Sequence, residues 1–361
     1  MKRSLIALAA LAVVGAASAQ SSVTIFGVVD ATVAIGNGDT SNKTQLTNSG
    51  YNSSRLGFRG VEDLGGGLKA KFWLEAGVMN DNGAGAATNT TNQGTGGVLT
   101  TGNPPVSAGL ATNGSQGLTF NRSSWVSVEG SMGELRLGRD YTPQFWSVTV
   151  YDPFGTNGVG TTQALNSSGG GVTIVRASNS LAWKSPSYSG FGIWAQTYFG
   201  ENASNAASQA GDGSAIRVSY DQGPLSVAVA FAKTTTGAGT DVQTTNFAGS
   251  YNMGVAQLMA FWNKDANTGA KDVVGYTIGA LVPVKPAGTV RVSFSNSDNG
   301  NGAKTDKFAL GYVHDMSKRT ALYGTFASLS NSGGAAQALN GAATPANGSS
   351  TGFDIGVRHA F

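Results

Sequence analysis

A two-residue alternation of apolar and polar side chains, repeated from end to end, constrains this chain more than any other feature. In the first segment Val23, Ile25, Val29, Ala31, Val33 and Ile35 share one phase, Thr24, Asp30 and Thr32 take the other, and Asn37-Gly38 ends the run. In the second, Leu56 and Phe58 lie opposite Arg55 and Arg59. After a glycine-rich turn at Glu62–Leu68, Phe72 and Leu74 lie opposite Lys69, Lys71 and Glu75. Successive side chains of a β-strand point to opposite faces, so this period predicts strands with one apolar and one polar face. The pattern recurs near 120–129, 134–141, 174–185, 190–200, 214–221, 224–234, 244–252, 255–264, 272–282, 288–296, 305–314, 320–329 and 350–361. With the first three segments that makes 16. An even number is expected of an antiparallel bacterial barrel, because both termini then lie on one side.

The connections support closure. Short ones fall at Glu62–Leu68, Gly130–Gly133, Ser185–Ser189, Asp221–Pro224, Asn252–Gly254, Pro283–Ala287 and Asp315–Arg319. The others, such as 77–119, 141–173, 201–213 and 330–349, are longer and rich in Gly, Asn, Ser and Thr. Short turns at one end and long loops at the other are the pattern of a transmembrane barrel. Aromatics fall near several strand ends, among them Phe26, Trp73, Tyr188, Phe191, Trp194, Tyr198, Tyr220, Tyr251, Tyr312 and Tyr323. They fit either interfacial girdles or ordinary β-propensity.

Composition agrees. Charged residues are 12% of the chain, against about 25% in an ordinary soluble domain. A mean hydropathy of −0.07 excludes a helical membrane protein but fits strands whose two faces average out. The absence of cysteine removes disulfides, thiol catalysis and thiolate metal sites from consideration. No cofactor and no nucleic-acid partner is expected.

The N-terminus predicts secretion. Lys2 and Arg3 precede an apolar run from Leu5 to Ala17, and Ala17-Ser18-Ala19 offers small residues for cleavage. The run is too short to span a bilayer and reads as a signal peptide over 1–19. A single barrel over 20–361 would follow. Losing Lys2 and Arg3 takes the basic count from 23 to 21 against 20 acidic residues. The sum is then nearly neutral, and the position of the charges matters more than their total.

Six blocks carry a family resemblance: SSVTIFGVVDA (21–31), RLGFRGVEDLGGGLKAKFWLE (55–75), LGRDYTPQF (137–145), SNSLAWKSP (178–186), DMSKRTALY (315–323) and GVRHAF (356–361). From Ser21 to Phe361 the chain resembles the Gram-negative general porins, and most closely the anion-selective trimeric porins of β-proteobacteria. The resemblance implies an all-β fold, a 16-stranded antiparallel transmembrane β-barrel whose third extracellular loop folds inward. It implies a water-filled outer-membrane channel for passive diffusion of small hydrophilic solutes, with a preference for small anionic ones, and a homotrimer. It also implies contact with outer-membrane lipids and lipopolysaccharide. The terminal aromatic Phe361 resembles the signal read by the outer-membrane assembly machinery. The stretch 77–119 is longer than in shorter members.

A channel of this kind filters by size and by charge at a constriction. By resemblance the inward loop is 141–173, with a sharp turn at Tyr151-Asp152-Pro153-Phe154-Gly155. Asp152 is its only carboxylate, so the negative half of the constriction is thin. The resemblance places an arginine ladder at Arg55, Arg122 and Arg176. Alternation independently turns Arg55 and Arg176 away from lipid, but leaves Arg122 in phase with Val126 and Val128. Arg59, Arg136, Arg139 and Lys71 are further candidates. Pairing with Glu62, Glu75, Glu129 or Asp30 is the plainer role for any inward arginine.

The same residues bear on three rival functions. An outer-membrane barrel enzyme needs a histidine base beside a nucleophile. His314 falls at a short turn and His359 in the last strand, so no catalysis is expected. A glycine- and asparagine-rich adhesin has no need of inward arginines. A substrate-specific channel for phosphate or small organic acid anions stays open as the alternative.

Overall fold

Alternating segments pair edge to edge until no edge is left. The computed structural model describes residues 22–86, 88, 90–93, 117–165 and 175–361. The expected signal peptide, 1–19, lies outside them, as do parts of 77–119 and 141–173. The barrel strands are β1 (Ser22–Gly38), β2 (Arg55–Gly65), β3 (Leu68–Met79), β4 (Ser123–Gly130), β5 (Gly133–Tyr141), β6 (Arg176–Lys184), β7 (Phe191–Tyr198) and β8 (Gly213–Gln222). They continue as β9 (Leu225–Gly237), β10 (Thr240–Asn252), β11 (Gln257–Asn267), β12 (Val273–Val284), β13 (Gly288–Asp298), β14 (Lys304–Asp315), β15 (Thr320–Ser332) and β16 (Ser349–Ala360). Every neighbour is antiparallel. β1 closes the ring by pairing with β16, Val28 opposite Ala360 through Gly38 opposite Ser350, and with β2, Ser22 opposite Val61 through Val28 opposite Arg55.

The faces are inverted relative to a soluble protein. On β14, Phe308, Leu310 and Tyr312 are exposed outward, while Thr305 and Lys307 are buried inward. On β16, Phe353, Ile355 and Val357 face out and Ser350 and Asp354 face in. Closure satisfies every strand edge, which is what lets a sheet sit in hydrocarbon. No helix among the described residues is long and apolar enough to cross a membrane.

Two departures from the expected connections concern length. β9 and β10 run on to Gly237 and Thr240, leaving a tight hairpin where 235–243 was expected as a loop. The extra rungs, Thr234 to Val242 and Thr235 to Asp241, carry only one apolar residue, Val242, and that one is buried beside polar neighbours, so apolar alternation could not reveal them. The second departure lies between β1 and β2. Lys43–Asn48 pairs with β1 over Ala31–Gly36 as an upward continuation of β2. Residues 49–54 then leave the ladder and bend inward.

The long connection after β5 enters the barrel as a short helix. α1 spans Pro143–Tyr151, with proline in its first turn, where the missing N–H costs nothing. Phe145, Val148 and Tyr151 recur at helical spacing and bury against Ala164, Ala228 and Phe261. The segment FWSVTVY is rich in aromatic and β-branched residues, which is why it does not read as a helix.

Candidate pore constriction

Four arginines line one cavity of about 610 Å³: Arg55, Arg122 and Arg176 from one side, and Arg291, whose guanidinium is tied to the loop carbonyl of Pro153. Arg55 opens β2 and Arg176 opens β6. Arg122 sits one residue before β4, in a bend. That bend explains its ambiguous phase, since a residue outside the ladder is not bound by the alternation that turns Val126 and Val128 to lipid. Its backbone N–H donates to Glu75 O at 3.0 Å, and its Nε to Glu75 Oε1 at 2.5 Å.

Tyr141, at the end of β5, organises the cluster. Its hydroxyl accepts from Arg122 Nη2 and from Arg176 Nη2, both at 2.7 Å. The Arg176 guanidinium lies 4.2 Å from the Tyr141 ring centroid, and that ring stacks on Phe145 of α1 at 5.7 Å. Glu75 also accepts from Trp73 Nε1 at 2.9 Å and stands 3.9 Å from Arg55 Nε. Two guanidinium groups, Arg122 and Arg55, therefore share one carboxylate, and Arg176 has none of its own among the described residues. Guanidinium stays charged in this setting and offers several donors to a passing oxyanion.

The opposite side of the cavity is the inward loop. Pro153, Phe154, Gly155, Thr156 and Asn157 line it. Asp152 also borders the cavity, but only 3% of its surface is accessible, and its carboxylate accepts the backbone N–H groups of Phe154, Thr156 and Thr162 at 2.9–3.1 Å. Thr156 has φ +59°, a strained value for a β-branched residue. Asp152 holds that turn in place. The structure thus gives this carboxylate a bracing role in place of a charge presented to solutes.

The loop is fastened to the wall at many points. Arg217 Nε donates to Ser147 Oγ, Asn246 to Gln144 O, and Arg291 Nε to Pro153 O at 2.7 Å. Lys307 Nζ donates to Val159 O and to Thr161 O, and Asp354 accepts the Val159 N–H at 2.6 Å. Close approach also needs a wall without side chains. A Cβ on Gly275 of β12 would fall 2.6 Å from Ala164 Cα. The inward bend at 49–54 completes the ring: Tyr51, Asn52 and Ser53 line the cavity, and Ser53 Oγ donates to Asn157 Oδ1 at 2.7 Å. Glycine and serine spacing at 49–54 carried no recognisable signal for this.

The sequence profile of the Gram-negative porin family matches residues 5–334. The chain is a Gram-negative porin. It is 37% identical over its full length to outer membrane porin protein 32 of Delftia acidovorans, all of which is covered, and 28% identical to an outer membrane porin protein of Bordetella pertussis, again over both full lengths. Among solved structures, an anion-selective porin from Comamonas acidovorans superposes with a TM-score of 0.79 at 34% identity, covering 95% of this chain and all of the other. Porins are channels, and this one is a water-filled channel of the outer membrane.

The remaining candidates of the porin lie elsewhere. Lys71 is paired with Glu129. Arg136 is clamped between Glu134 Oε2 at 2.9 Å and Asp140 Oδ2 at 2.8 Å. Arg59 lies over the rings of Phe26 and Trp73, 5.3 Å from each centroid. These three line a second cavity, toward the short turns. Arg139 sits at a register shift between Gly138 and Asp140, and its guanidinium donates to Asn121 O and Ser178 Oγ. His314 and His359 are near the short turns, each beside one hydroxyl, Tyr312 and Thr320. Of the aromatics, Tyr188, Phe191, Tyr251 and Tyr312 are exposed on the barrel. Trp194, Tyr198 and Tyr323 are instead buried, and Trp73 stacks on inward Trp125. A girdle does not account for those four.

Proposed function

We propose that this porin passes small hydrophilic solutes by diffusion and prefers anions, with Arg55, Arg122 and Arg176 as the selecting groups. One observation carries the reading: Arg122 and Arg176 converge on Tyr141 and Arg55 stands beside them at Glu75, across from a loop whose only acid, Asp152, is consumed by backbone N–H groups. The anion selectivity named for the Comamonas acidovorans relative supports it. Field from clustered fixed charge raises the local concentration of the opposite ion. Arg59, Arg136, Arg139 and Lys71 shape the field around the constriction.

The wider setting follows from the resemblance. Residues 1–19 act as a signal peptide, three copies assemble in the outer membrane, and lipid and lipopolysaccharide surround them. Phe361 serves the assembly machinery. Its backbone exchanges two 3.1 Å hydrogen bonds with Gly27, while its ring stays 45% exposed at the barrel edge.

The test is a reversal potential in a planar bilayer across a potassium chloride gradient. The expected value lies on the chloride side. Replacing Arg55, Arg122 and Arg176 by glutamine, singly and together, should move it stepwise toward zero. A potassium-side value in the unaltered protein would overturn the anion preference.

A further inference from the structure

Four of the six tryptophans of the chain gather inside the barrel, on the short-turn side of the constriction. Trp73, Trp125, Trp146 and Trp194 line a cavity of about 520 Å³ together with Arg59, Lys71, Arg136 and Lys184. Tryptophan in a transmembrane barrel ordinarily marks the lipid interface, so four in the lumen call for a different account. Trp73 and Trp125 stack with centroids 6.2 Å apart, 16° from parallel, and Trp146 meets Trp194 edge to face at 6.2 Å. Trp146 projects from α1 and is 38% exposed, although it sits on a helix inside the barrel.

The charges in this chamber are divided. Lys71 is paired with Glu129, Glu134 and Asp140 are spent on Arg136, and Glu75 on Arg122. Arg59 and Lys184 instead lie over rings, Lys184 Nζ being 3.6 Å from the Trp194 centroid. Two buried donors, Trp194 Nε1 and Arg136 Nε, have no acceptor among the described residues. A buried donor left without an acceptor is costly. Both belong to residues that line this cavity, whose acids are already engaged. An incoming oxyanion would satisfy them.

We infer that this chamber is a docking subsite for aromatic carboxylates. The flat ring rests against the indoles, and the carboxylate meets Trp194 Nε1, Arg136 Nε and the Arg59 and Lys184 cations. Aromatic pairing rewards a planar ring beyond its apolar area, so a saturated ring of the same charge and size docks less well. The subsite deepens the anion-preferring reading above and rests on it, since the solute must enter a cation-lined lumen.

The test compares benzoate with cyclohexanecarboxylate as blockers of chloride current through the reconstituted porin in a planar bilayer. The chloride reversal potential is read first, in the same chamber. A potassium-side value there overturns the constriction reading and this one with it. With chloride preference in place, benzoate should half-block at a concentration about three- to tenfold below cyclohexanecarboxylate, more so when added from the short-turn side. Trp194→Leu and Trp146→Leu should each erode that ratio while leaving the chloride reversal potential in place. Trp194→Phe should keep part of the ratio, losing only the N–H. Equal block by the two acids in the unaltered protein, or a ratio untouched by both leucine variants, overturns the subsite while the anion preference stands.

Discussion

Glu75 divides its single negative charge among Arg122, Arg55 and the Trp73 indole, and so sets how much of the arginine charge reaches the lumen. Glu75→Gln keeps the size of the side chain and removes the charge. Two unit charges about 4 Å apart in a water-like medium interact by about 1 kcal/mol, which is about a fivefold change in a partition ratio. Chloride-over-potassium permeability in 0.1 M salt should therefore rise by up to about fivefold, and a fall would contradict the proposed role of the arginines. Tyr141→Phe keeps the ring beneath Arg176 but removes the acceptor shared by two guanidinium groups. Chloride preference should persist with noisier open-channel current, because the cations stay while their common tether goes. Arg55 and Arg176 were legible from alternation. Arg122 was not, since it stands in a bend, and Tyr141 was not, because its role depends on two arginines from other strands.

The inward loop is an element held by its neighbours more than by itself. α1 has nine residues and no side-chain N-cap, so it is too short to persist alone. Lys307 is 1% exposed and holds two loop carbonyls, and hydrogen bonds from a charged donor contribute about 1.5–3 kcal/mol each. Lys307→Met should release the segment around Val159. Protease cleavage within 141–165 should appear or quicken, and conductance fluctuations should grow, while the barrel keeps its strand signal by circular dichroism. Unchanged cleavage would mean that Asp354, Arg291 and the other fasteners suffice. The pattern of the loop itself hid the helix, because its apolar spacing overlaps with that of a strand. The wall residues that grip it, Arg291, Lys307 and Asp354, read in sequence only as inward polar positions.

At the scale of the whole molecule, selectivity is a field in a wet lumen and is open to screening. The Debye length shrinks from about 10 Å at 0.1 M salt to about 3 Å at 1 M. The chloride preference, measured at a fixed tenfold gradient, should weaken as both baths are raised toward 1 M; a preference independent of salt would point to a steric filter in place of the arginine field. The barrel was legible because a closed sheet between lipid and water dictates the environment of each residue locally. Phe308, Leu310 and Tyr312 must meet hydrocarbon and Thr305 and Lys307 must not, and that demand is written two residues at a time. The constriction was legible only in part, through family resemblance to its blocks. Which charges meet is decided by strand register and by the folded-in loop, which join Arg122 to Glu75 across 47 positions and Arg291 to Pro153 across 138. Local periodicity carries no information over such separations. The sequence by itself therefore determined that a sixteen-stranded barrel forms with arginines facing inward, whereas only the tertiary structure decided that two of them converge on Tyr141 with a third beside them at Glu75, that Asp152 braces a turn, and that four tryptophans line the chamber below.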